Sequence, residues 1–240
     1  MLEDAGYKAL GADAVATSID EAVMLISQHL RVARGEDYLP APVPEADIER
    51  LRALRASGIL DDALRERFNL VAKRAADTFD MPLALVSLIE EFSQQVRGAA
   101  GALVALPGDG SASSDGLEIA RSLSMCGHVV ASADTVVVED FERDPRFANN
   151  PVLRERGLRF YAGAPLRDAE GHVYGSLCVL DTKPRSFDES EIRLLESMAA
   201  ELMESLHIPG SHAAVRAAAA DSPIATDEKP SATVGQLVPD

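Results

Sequence analysis

Cys126 and Cys178 are the strongest nucleophiles in this chain of 240 residues. Thiol chemistry in an enzyme needs an attacking and a resolving sulfur within reach of each other, and no CxxC pair supplies such a couple here. His128 follows Cys126 after one glycine, but residues two positions apart on a helix do not face each other, so His128 is not placed to activate the thiol. We therefore expect both cysteines to pack in the core as small apolar side chains, in a reducing compartment.

Polar residues with binding chemistry are concentrated between Asp140 and Asn150. The run D-P-R-F from Asp144 to Phe147 predicts a helix start, with aspartate as the N-cap and proline at the first helical position. Asp140 can accept hydrogen bonds from turn amides or pair with Arg146. Asp140, Asp144 and Asn150 would then clasp a long loop, and long ordered loops often cover a functional site.

We hypothesise a site for a small organic ligand between this loop and the strands beside it. Small residues at 163–164 let a ligand approach the backbone closely. A guanidinium offers several donors in one plane, so the ligand would carry an acidic or a carbonyl group. Ordinary packing of a sheet beneath a loop is the alternative explanation. The candidate ligand-binding residues are Arg146, Phe147, Arg159, Tyr161 and Cys178.

Composition argues against several classes of function. A formal net charge of −16 disfavours nucleic acid and anionic membranes, and the absence of tryptophan leaves few rings for stacking bases. None of the five histidines belongs to an HxH or HxxxH pair, so we predict no metal site and no cofactor. The apolar runs are too short to span a bilayer, and acidic residues near the N-terminus argue against a signal peptide. We therefore expect a soluble cytoplasmic protein.

The composition of the chain changes at three places along its length. Residues 1–35 predict a small helical extension, which loosely resembles the first part of a response-regulator receiver and could be its remnant. Residues 36–47 predict an exposed linker, because three alternating prolines favour extended backbone. Residues 48–207 carry a single α/β pattern. Residues 208–240 lack apolar periodicity and should be disordered.

Apolar periodicity in the α/β part predicts the elements that position the candidate residues. Its last two predicted strands lack polar alternation, so both faces of the sheet should be covered. Asp188 and Glu191 form a capping box that predicts the start of the last helix. We predict helices from Ile48, from Asp62, within 118–132 and from Asp188, and strands at 83–89, 94–98, 135–138, 159–167 and 172–180.

A series of sequence blocks in the α/β part occurs in a specific order and spacing. The blocks include R-L-x-A-L-x-x-x-G-I-L-D from Arg50, P-L-A-L-V-S-L-I from Pro82, S-M-C-G-H from Ser124, D-x-x-x-D-P-R-F-x-x-N-P from Asp140, R-F-Y-A-G-A-P-L from Arg159 and G-S-L-C-V-L-D from Gly175. The segment that holds them, Glu49 to Leu206, resembles the GAF domains found ahead of diguanylate cyclases and sensor histidine kinases. The usual output domain does not follow here.

The resemblance implies an α+β sandwich, in which a central antiparallel sheet carries helices on one face and a loop-covered pocket on the other. The implied role is that of a non-catalytic sensory module that binds a small ligand or a signalling protein. A pocketless dimerisation or docking protein for a histidine kinase or cyclase is one alternative. A thiol redox enzyme is another, because some proteins of this fold reduce free methionine sulfoxide.

A homodimer is the expected assembly. GAF relatives commonly pair through helices on one side of the sheet, and the helices predicted here carry many leucines. Leu51, Leu54, Leu195 and Leu202 exceed what one thin helix layer needs to cover the sheet.

Overall fold

The computed structural model describes residues 38–101 and 118–206. The predicted N-terminal extension, the loop at 107–117 and the predicted C-terminal tail lie outside these residues. Helices and strands alternate irregularly along the described chain. The helices are α1 (Asp47–Ala56), α2 (Arg65–Phe79), α3 (Met125–Ser132), α4 (Pro151–Glu155) and α5 (Glu189–Ser205), and the strands are β1 (Leu83–Ile89), β2 (Ser93–Gly101), β3 (Glu118–Ala120), β4 (Val136–Val138), β5 (Phe160–Arg167) and β6 (Val173–Asp181).

The six strands form one sheet in the order β3-β2-β1-β6-β5-β4, and each neighbouring pair is antiparallel. The two central strands are β1 and β6, and the apolar run of β1 was predicted with the same bounds. The hairpin predicted from the C-terminal half is also confirmed: β5 pairs with β6 along its length. Every residue of β1 and β6 is buried, as expected for strands without polar alternation.

The helices α1, α2 and α5 cover one face of the sheet, which we call the helical face. The stripe Phe68, Ala72, Ala75 and Phe79 turns α2 towards the sheet. The backbone of α2 approaches β2 closely at Gly98, where an added Cβ would lie 2.5 Å from the Phe68 carbonyl carbon. The predicted capping box at Asp188 and Glu191 is present at the start of α5.

The leucines that suggested a dimer are buried within this single chain. Leu51, Leu54, Leu195 and Leu202 are all at most 6% exposed and belong to the core of the helical face. The argument that they exceed what the layer needs is therefore wrong. The sheet contributes small side chains to this core, among them Ala84, Ala162 and Ala164, and large helix side chains fill the remaining space.

The opposite face, which we call the loop face, is covered by α3, α4 and the connection at 141–150. The helix predicted within 118–132 is confirmed and spans Met125–Ser132. Residues 118–120 pair with the edge of β2, and Ser124 then caps α3 by accepting a hydrogen bond from Gly127 N. Because residues 118–120 pair as an edge strand, the helix begins only at Met125.

The proline-rich stretch is partly docked on the domain, rather than being an exposed connector throughout. Tyr38 and Ala41 are 8% exposed, whereas Val43 is 63% exposed. Leu39 N donates to the Arg146 carbonyl at 2.6 Å. The two apolar side chains and this backbone bond hold the stretch against the loop face. Helix α1 then begins at Asp47, inside the predicted linker. Among the described residues, no helix combines the length and apolar character needed to cross a membrane.

Candidate functional site

The core of the loop face contains several buried polar side chains, whereas most protein cores are apolar. Every buried serine and glutamine of the described residues lies here: Ser87, Gln94, Ser124 and Ser176 are at most 3% exposed. Gln94 Nε2 donates to Ser87 Oγ at 2.9 Å, and the Ser124 hydroxyl donates to Gln94 Oε1. Ser87 and Ser176 face each other across β1 and β6.

Tyr161 brings a fifth polar side chain to this group. Its hydroxyl lies 3.4 Å from Ser176 Oγ and 3.6 Å from Cys126 Sγ. The ring can lie along β5 because residue 163 is glycine: a Cβ there would be 2.2 Å from the tyrosine hydroxyl. Burial and the neighbouring thiols Cys126 and Cys178 raise the pKa of Tyr161 well above its ordinary value, so the hydroxyl keeps its proton.

The two cysteines complete the arrangement. Cys126 lies in the first turn of α3 and Cys178 in the middle of β6, and their sulfur atoms are 3.8 Å apart. Both are free thiols and buried, as predicted. A hydrogen bond from Cys178 lowers the pKa of Cys126, and the same interaction together with burial raises the pKa of Cys178. We call the set Ser87, Gln94, Ser124, Cys126, Tyr161, Ser176 and Cys178 the buried polar cluster.

Nothing in the sequence indicated that the thiols would meet, because their approach depends on how α3 packs across β6. His128 is indeed turned away from this pair. Its Nε2 atom lies 3.1 Å from the Leu39 carbonyl oxygen, and its ring packs edge-on against Phe147 with centroids 5.0 Å apart. Burial lowers the pKa of His128, which favours the neutral imidazole.

Arg146 and Arg159 of the predicted ligand site are both ion-paired. Arg146 Nε and Nη2 contact the Asp144 carboxylate at 2.9 and 2.5 Å, and the guanidinium lies 4.8 Å above the Phe147 ring. Arg159 donates to both carboxylate oxygens of Asp140, at 2.9 and 3.0 Å. These hydrogen bonds lower the pKa of each aspartate.

Of the two roles predicted for Asp140, accepting from a turn amide is confirmed by the hydrogen bond from Glu142 N at 3.2 Å. The pairing with Arg146 is wrong, and the sheet explains the difference. Val138 of β4 pairs with Tyr161 of β5. The same antiparallel register, continued by two residues, places Asp140 opposite Arg159. Arg146 lies beyond the turn at 141–143 and pairs with the nearer Asp144.

The predicted helix start at Asp144 is also wrong. Residues 145–149 form turns, and α4 begins at Pro151. Asn150 is the N-cap, since its Oδ1 accepts from Val152 N at 3.0 Å and from Leu153 N at 3.4 Å. Its Nδ2 also donates to the Leu123 carbonyl at 3.0 Å, which ties this loop to the start of α3.

Aromatic side chains fill the space beneath the 141–150 connection. Phe141 and Phe147 are at most 2% exposed and pack edge to face, with centroids 6.2 Å apart. Of the five candidate ligand residues, Phe147, Tyr161 and Cys178 thus lie in the core of the loop face, while the two arginines lie at its surface. A ligand at this place would have to displace side chains that now contact one another.

A buried ionic cluster, which the sequence did not reveal, lies where α1 meets the end of β1. Arg121 donates to Asp47 at 2.6 and 3.0 Å, and Arg50 Nε donates to the same carboxylate at 2.7 Å. Arg50 also donates to the Ile89 carbonyl at the end of β1. All three side chains are buried. This cluster attaches α1 to the sheet and has the character of a structural contact.

A groove of about 670 Å³ lies between α2 and the end of β2. Its walls include Asn69, Leu70, Lys73 and Ala99. It is separate from the buried polar cluster. No three histidine, cysteine or acidic side chains of residues 38–101 and 118–206 are grouped so that they could hold a metal ion.

Comparison with known proteins agrees with the fold. The family described as "GAF domain" matches residues 63–206, so the chain belongs to the GAF family of sensory modules in signalling proteins. A cyclic di-GMP phosphodiesterase of Pseudomonas aeruginosa is 33% identical over 168 residues, which are 69% of this chain and 27% of that protein. The match thus spans about a quarter of the relative's length.

Solved structures with a similar architecture include GAF domains and an enzyme. The GAF domain of an Acinetobacter phosphoenolpyruvate-protein phosphotransferase is 18% identical, with a TM-score of 0.48 over 70% of this chain and 96% of that one. A free methionine-R-sulfoxide reductase from Neisseria meningitidis is also 18% identical, with a TM-score of 0.48 over 70% of this chain and 90% of that one. Likeness at this level does not transfer an activity.

Proposed function

We propose that this chain is a non-catalytic sensory module of a cytoplasmic signalling protein and that its input site is the buried polar cluster. The observation that carries the proposal is the difference between the two faces of one sheet. The core of the helical face is built from apolar side chains and a single tyrosine, Tyr174. The loop face buries serine, glutamine, tyrosine and thiol groups together.

Polarity of this kind is unfavourable for packing alone. A buried hydroxyl or amide costs about 1–3 kcal/mol unless it is hydrogen-bonded, and an apolar residue of similar shape avoids that cost. Among the described residues, the helical face buries Asp47 and Arg50 as an ion pair, and its core packs without serine, glutamine or thiol groups. A set of donors and acceptors that now satisfy one another can exchange those bonds for bonds to a ligand, and this supports an input role.

The chemistry of the cluster suggests a small, uncharged ligand with hydrogen-bonding groups. Arg146 is ion-paired with Asp144, and Arg159 is ion-paired with Asp140. Neither guanidinium is therefore unpaired and available for the acidic or carbonyl ligand that the sequence suggested. Hydroxyl, amide and thiol groups remain as the binding groups. Entry of the ligand requires the 141–150 connection to move, together with Phe147.

Catalysis is not supported by the same geometry. Cys126 and Cys178 are 2% and 0% exposed, so a methionine sulfoxide molecule cannot reach either sulfur without rearrangement. The relative's phosphodiesterase name also does not extend to this chain, because the match covers only 27% of that protein. We propose that this chain regulates a signalling enzyme.

Two tyrosine variants test the input site. The protein purified from its host is analysed by native mass spectrometry for a retained small molecule, and melting temperatures are measured with and without the molecule found. Tyr161→Phe should abolish the ligand-induced rise in melting temperature, because binding to the folded state is the source of that rise. Tyr174→Phe is the matched control: Tyr174 donates to Asp168 at 2.6 Å on the helical face, so the rise should persist. An equal rise in both variants would place the ligand elsewhere.

A docking module without a ligand is a second candidate, and two observations favour it. The aromatic side chains beneath the 141–150 connection pack closely. In addition, each helix of the helical face exposes one large apolar side chain: Ile48 and Leu70 are 68% exposed, and Leu194 is 45% exposed. We propose that these side chains, and not the buried leucines, contribute to a homodimer. Absence of any retained or stabilising small molecule, together with a stable dimer, would favour this candidate.

A further inference from the structure

The two thiols of the loop face are positioned for a reaction with each other. Their sulfur atoms contact each other directly, at a distance of 3.8 Å. A disulfide needs a separation of about 2.05 Å, so the sulfurs must approach by roughly 1.8 Å. One thiol is on a short helix that lies over the sheet, and the other is in a central strand. Because β6 is hydrogen-bonded to β1 on one side and to β5 on the other, closure would displace the helix rather than the strand.

We propose that Cys126 and Cys178 are an oxidation site, which a hydroperoxide converts into an intramolecular disulfide. The inference rests on the proposed regulatory function, because oxidation would be an input to the module. It does not require the small ligand discussed above. No substrate is turned over: each protein molecule reacts once and is restored by a dithiol reductant.

The reaction has two balanced steps. The Cys126 thiolate attacks the terminal oxygen of a hydroperoxide ROOH, which breaks the O–O bond, yields Cys126 sulfenic acid and releases RO⁻, which takes up a proton as ROH. The Cys178 sulfur then attacks the sulfenic sulfur, the S–S bond forms, and the hydroxyl leaves as water with the Cys178 proton. Two thiols lose two electrons in total and the peroxide gains them.

The geometry assigns the attacking role to Cys126, because the Tyr161 hydroxyl donates to its sulfur at 3.6 Å and can stabilise the thiolate. The Cys178 thiol and the hydroxyls of Tyr161 and Ser176 act as donors to its sulfur, and they favour the thiolate despite burial. Cys178 is disfavoured as the first thiolate because the neighbouring Cys126 and burial both raise its pKa. Cys178 therefore resolves the sulfenic acid.

Access sets the rate of the first step. Both sulfurs are covered by α3 and by the 141–150 connection, so a hydroperoxide reaches them only when this cover opens locally. Hydrogen peroxide and small alkyl hydroperoxides are suitable oxidants, while larger molecules are excluded from the folded protein. The reaction should therefore be slower than that of an exposed thiol with the same pKa.

Closure of the pair would move groups that α3 contacts outside the cluster. An added Cβ at Gly127 would lie 2.7 Å from the Ala41 Cβ, so α3 packs directly on the N-terminal stretch. His128 contacts the Leu39 carbonyl at 3.1 Å and the Phe147 ring. A shift of α3 towards β6 would thus loosen residues 38–41 and the 141–150 connection. The N-terminal stretch is then the route by which oxidation reaches the rest of a signalling protein.

Mass spectrometry of the native protein tests the chemistry. The reduced, folded chain is treated with hydrogen peroxide, quenched, denatured with an alkylating agent and weighed. We expect a loss of two hydrogens, about 2 Da, no alkylation, a linked Cys126–Cys178 peptide, and full reversal by a dithiol. In Cys178→Ala, a dimedone adduct should accumulate on Cys126. Unmodified thiols, over-oxidised thiols without a linked peptide, or a disulfide between two chains would overturn the proposal.

Hydrogen exchange tests the consequence. Oxidation should speed amide exchange at residues 38–41 and 141–150 in the wild type and leave exchange unchanged in the Cys126→Ala, Cys178→Ala double variant, which also serves as the folding control. Unchanged exchange in a protein that has formed the disulfide would overturn the regulatory step. The ligand experiment is repeated on the wild type kept reduced by a dithiol. A ligand-induced rise in melting temperature there, without disulfide formation after peroxide treatment, would reject this inference and keep the proposed function.

Discussion

Asp47 and Arg121 are 74 residues apart in sequence and form a buried two-point ion pair, with N–O distances of 2.6 and 3.0 Å. Arg50, three residues after Asp47 in the first turn of α1, completes the contact. Burial raises the pKa of Asp47, but the hydrogen bonds from Arg121 and Arg50 outweigh it and hold the pKa below its usual value. Two cations depend on this single carboxylate.

Asp47→Asn should therefore destabilise the fold strongly. Removal of one partner leaves buried, uncompensated charge, which costs on the order of 3 kcal/mol in the free energy of unfolding. Urea denaturation at pH 7 measures it. Asp77→Asn is the control, because the Lys73–Asp77 pair has both side chains 65% exposed and should contribute less than about 1 kcal/mol. Equal losses in the two variants would show that the Asp47 cluster is not buried in solution.

The same carboxylate predicts a pH dependence. Its pKa is lower in the folded than in the unfolded protein, where it is about 3.9. Its contribution is therefore complete above that value and is lost as the pH falls through the folded pKa. Between about pH 5 and pH 2, the free energy of unfolding should fall less steeply in Asp47→Asn than in the wild type. If the two proteins lose stability in parallel as the pH falls, other carboxylates are responsible for the acid sensitivity.

The two arginines of the loop face should differ in their effect on stability. Arg159 joins the start of β5 to the end of β4 through Asp140, whereas Arg146 pairs with Asp144 only two residues away. Only the first pair connects separate elements, and the Arg146 side chain is 53% exposed. Arg159→Ala should lower the melting temperature by more than Arg146→Ala does. Asp140→Asn should reproduce most of the Arg159→Ala effect, and the double variant should add little.

Local sequence signals predicted the parts of this fold that depend on neighbouring residues. The apolar run of β1 and the capping box at Asp188 are examples, since both are determined within a few positions. Helix α3 was predicted within 118–132, but the short strand at residues 118–120 was missed because its pairing with β2 is not local. The docking of Tyr38 was missed because proline content suggested a linker, although an aromatic residue there was a signal for burial.

The site itself could be predicted only in part. Tyr161, Phe147 and Cys178 lie together in the core of the loop face, although they come from two strands and a loop. Their burial and the pairing of Asp140 with Arg159 depend on register and on how α3 lies over the sheet. Cys126 and Cys178 are 52 residues apart, and no local pattern connects them.

The proposed dimer can be tested with surface leucines. Leu70→Ser and Leu194→Ser should shift sedimentation velocity profiles from dimer to monomer at micromolar protein concentration, because apolar area would be lost from the interface. The stability of the fold should change little, since exposed positions rarely contribute. Phe92→Ser is the control: Phe92 is 79% exposed but lies at the turn between β1 and β2. A wild type that sediments as a monomer at all concentrations would rule out the dimer.

Gly163 determines where the Tyr161 ring can lie, and a single methyl group tests this. In Gly163→Ala the new Cβ would be 2.2 Å from the tyrosine hydroxyl and 2.6 Å from the ring carbon that bears it. The ring must then leave Ser176 and Cys126, at a cost of about 1–3 kcal/mol in the free energy of unfolding. In a Tyr161→Leu background the clash is absent, so the same substitution should cost much less. Equal costs in both backgrounds would mean that Gly163 is required for the backbone, and that Tyr161 does not depend on it for its place in the buried polar cluster.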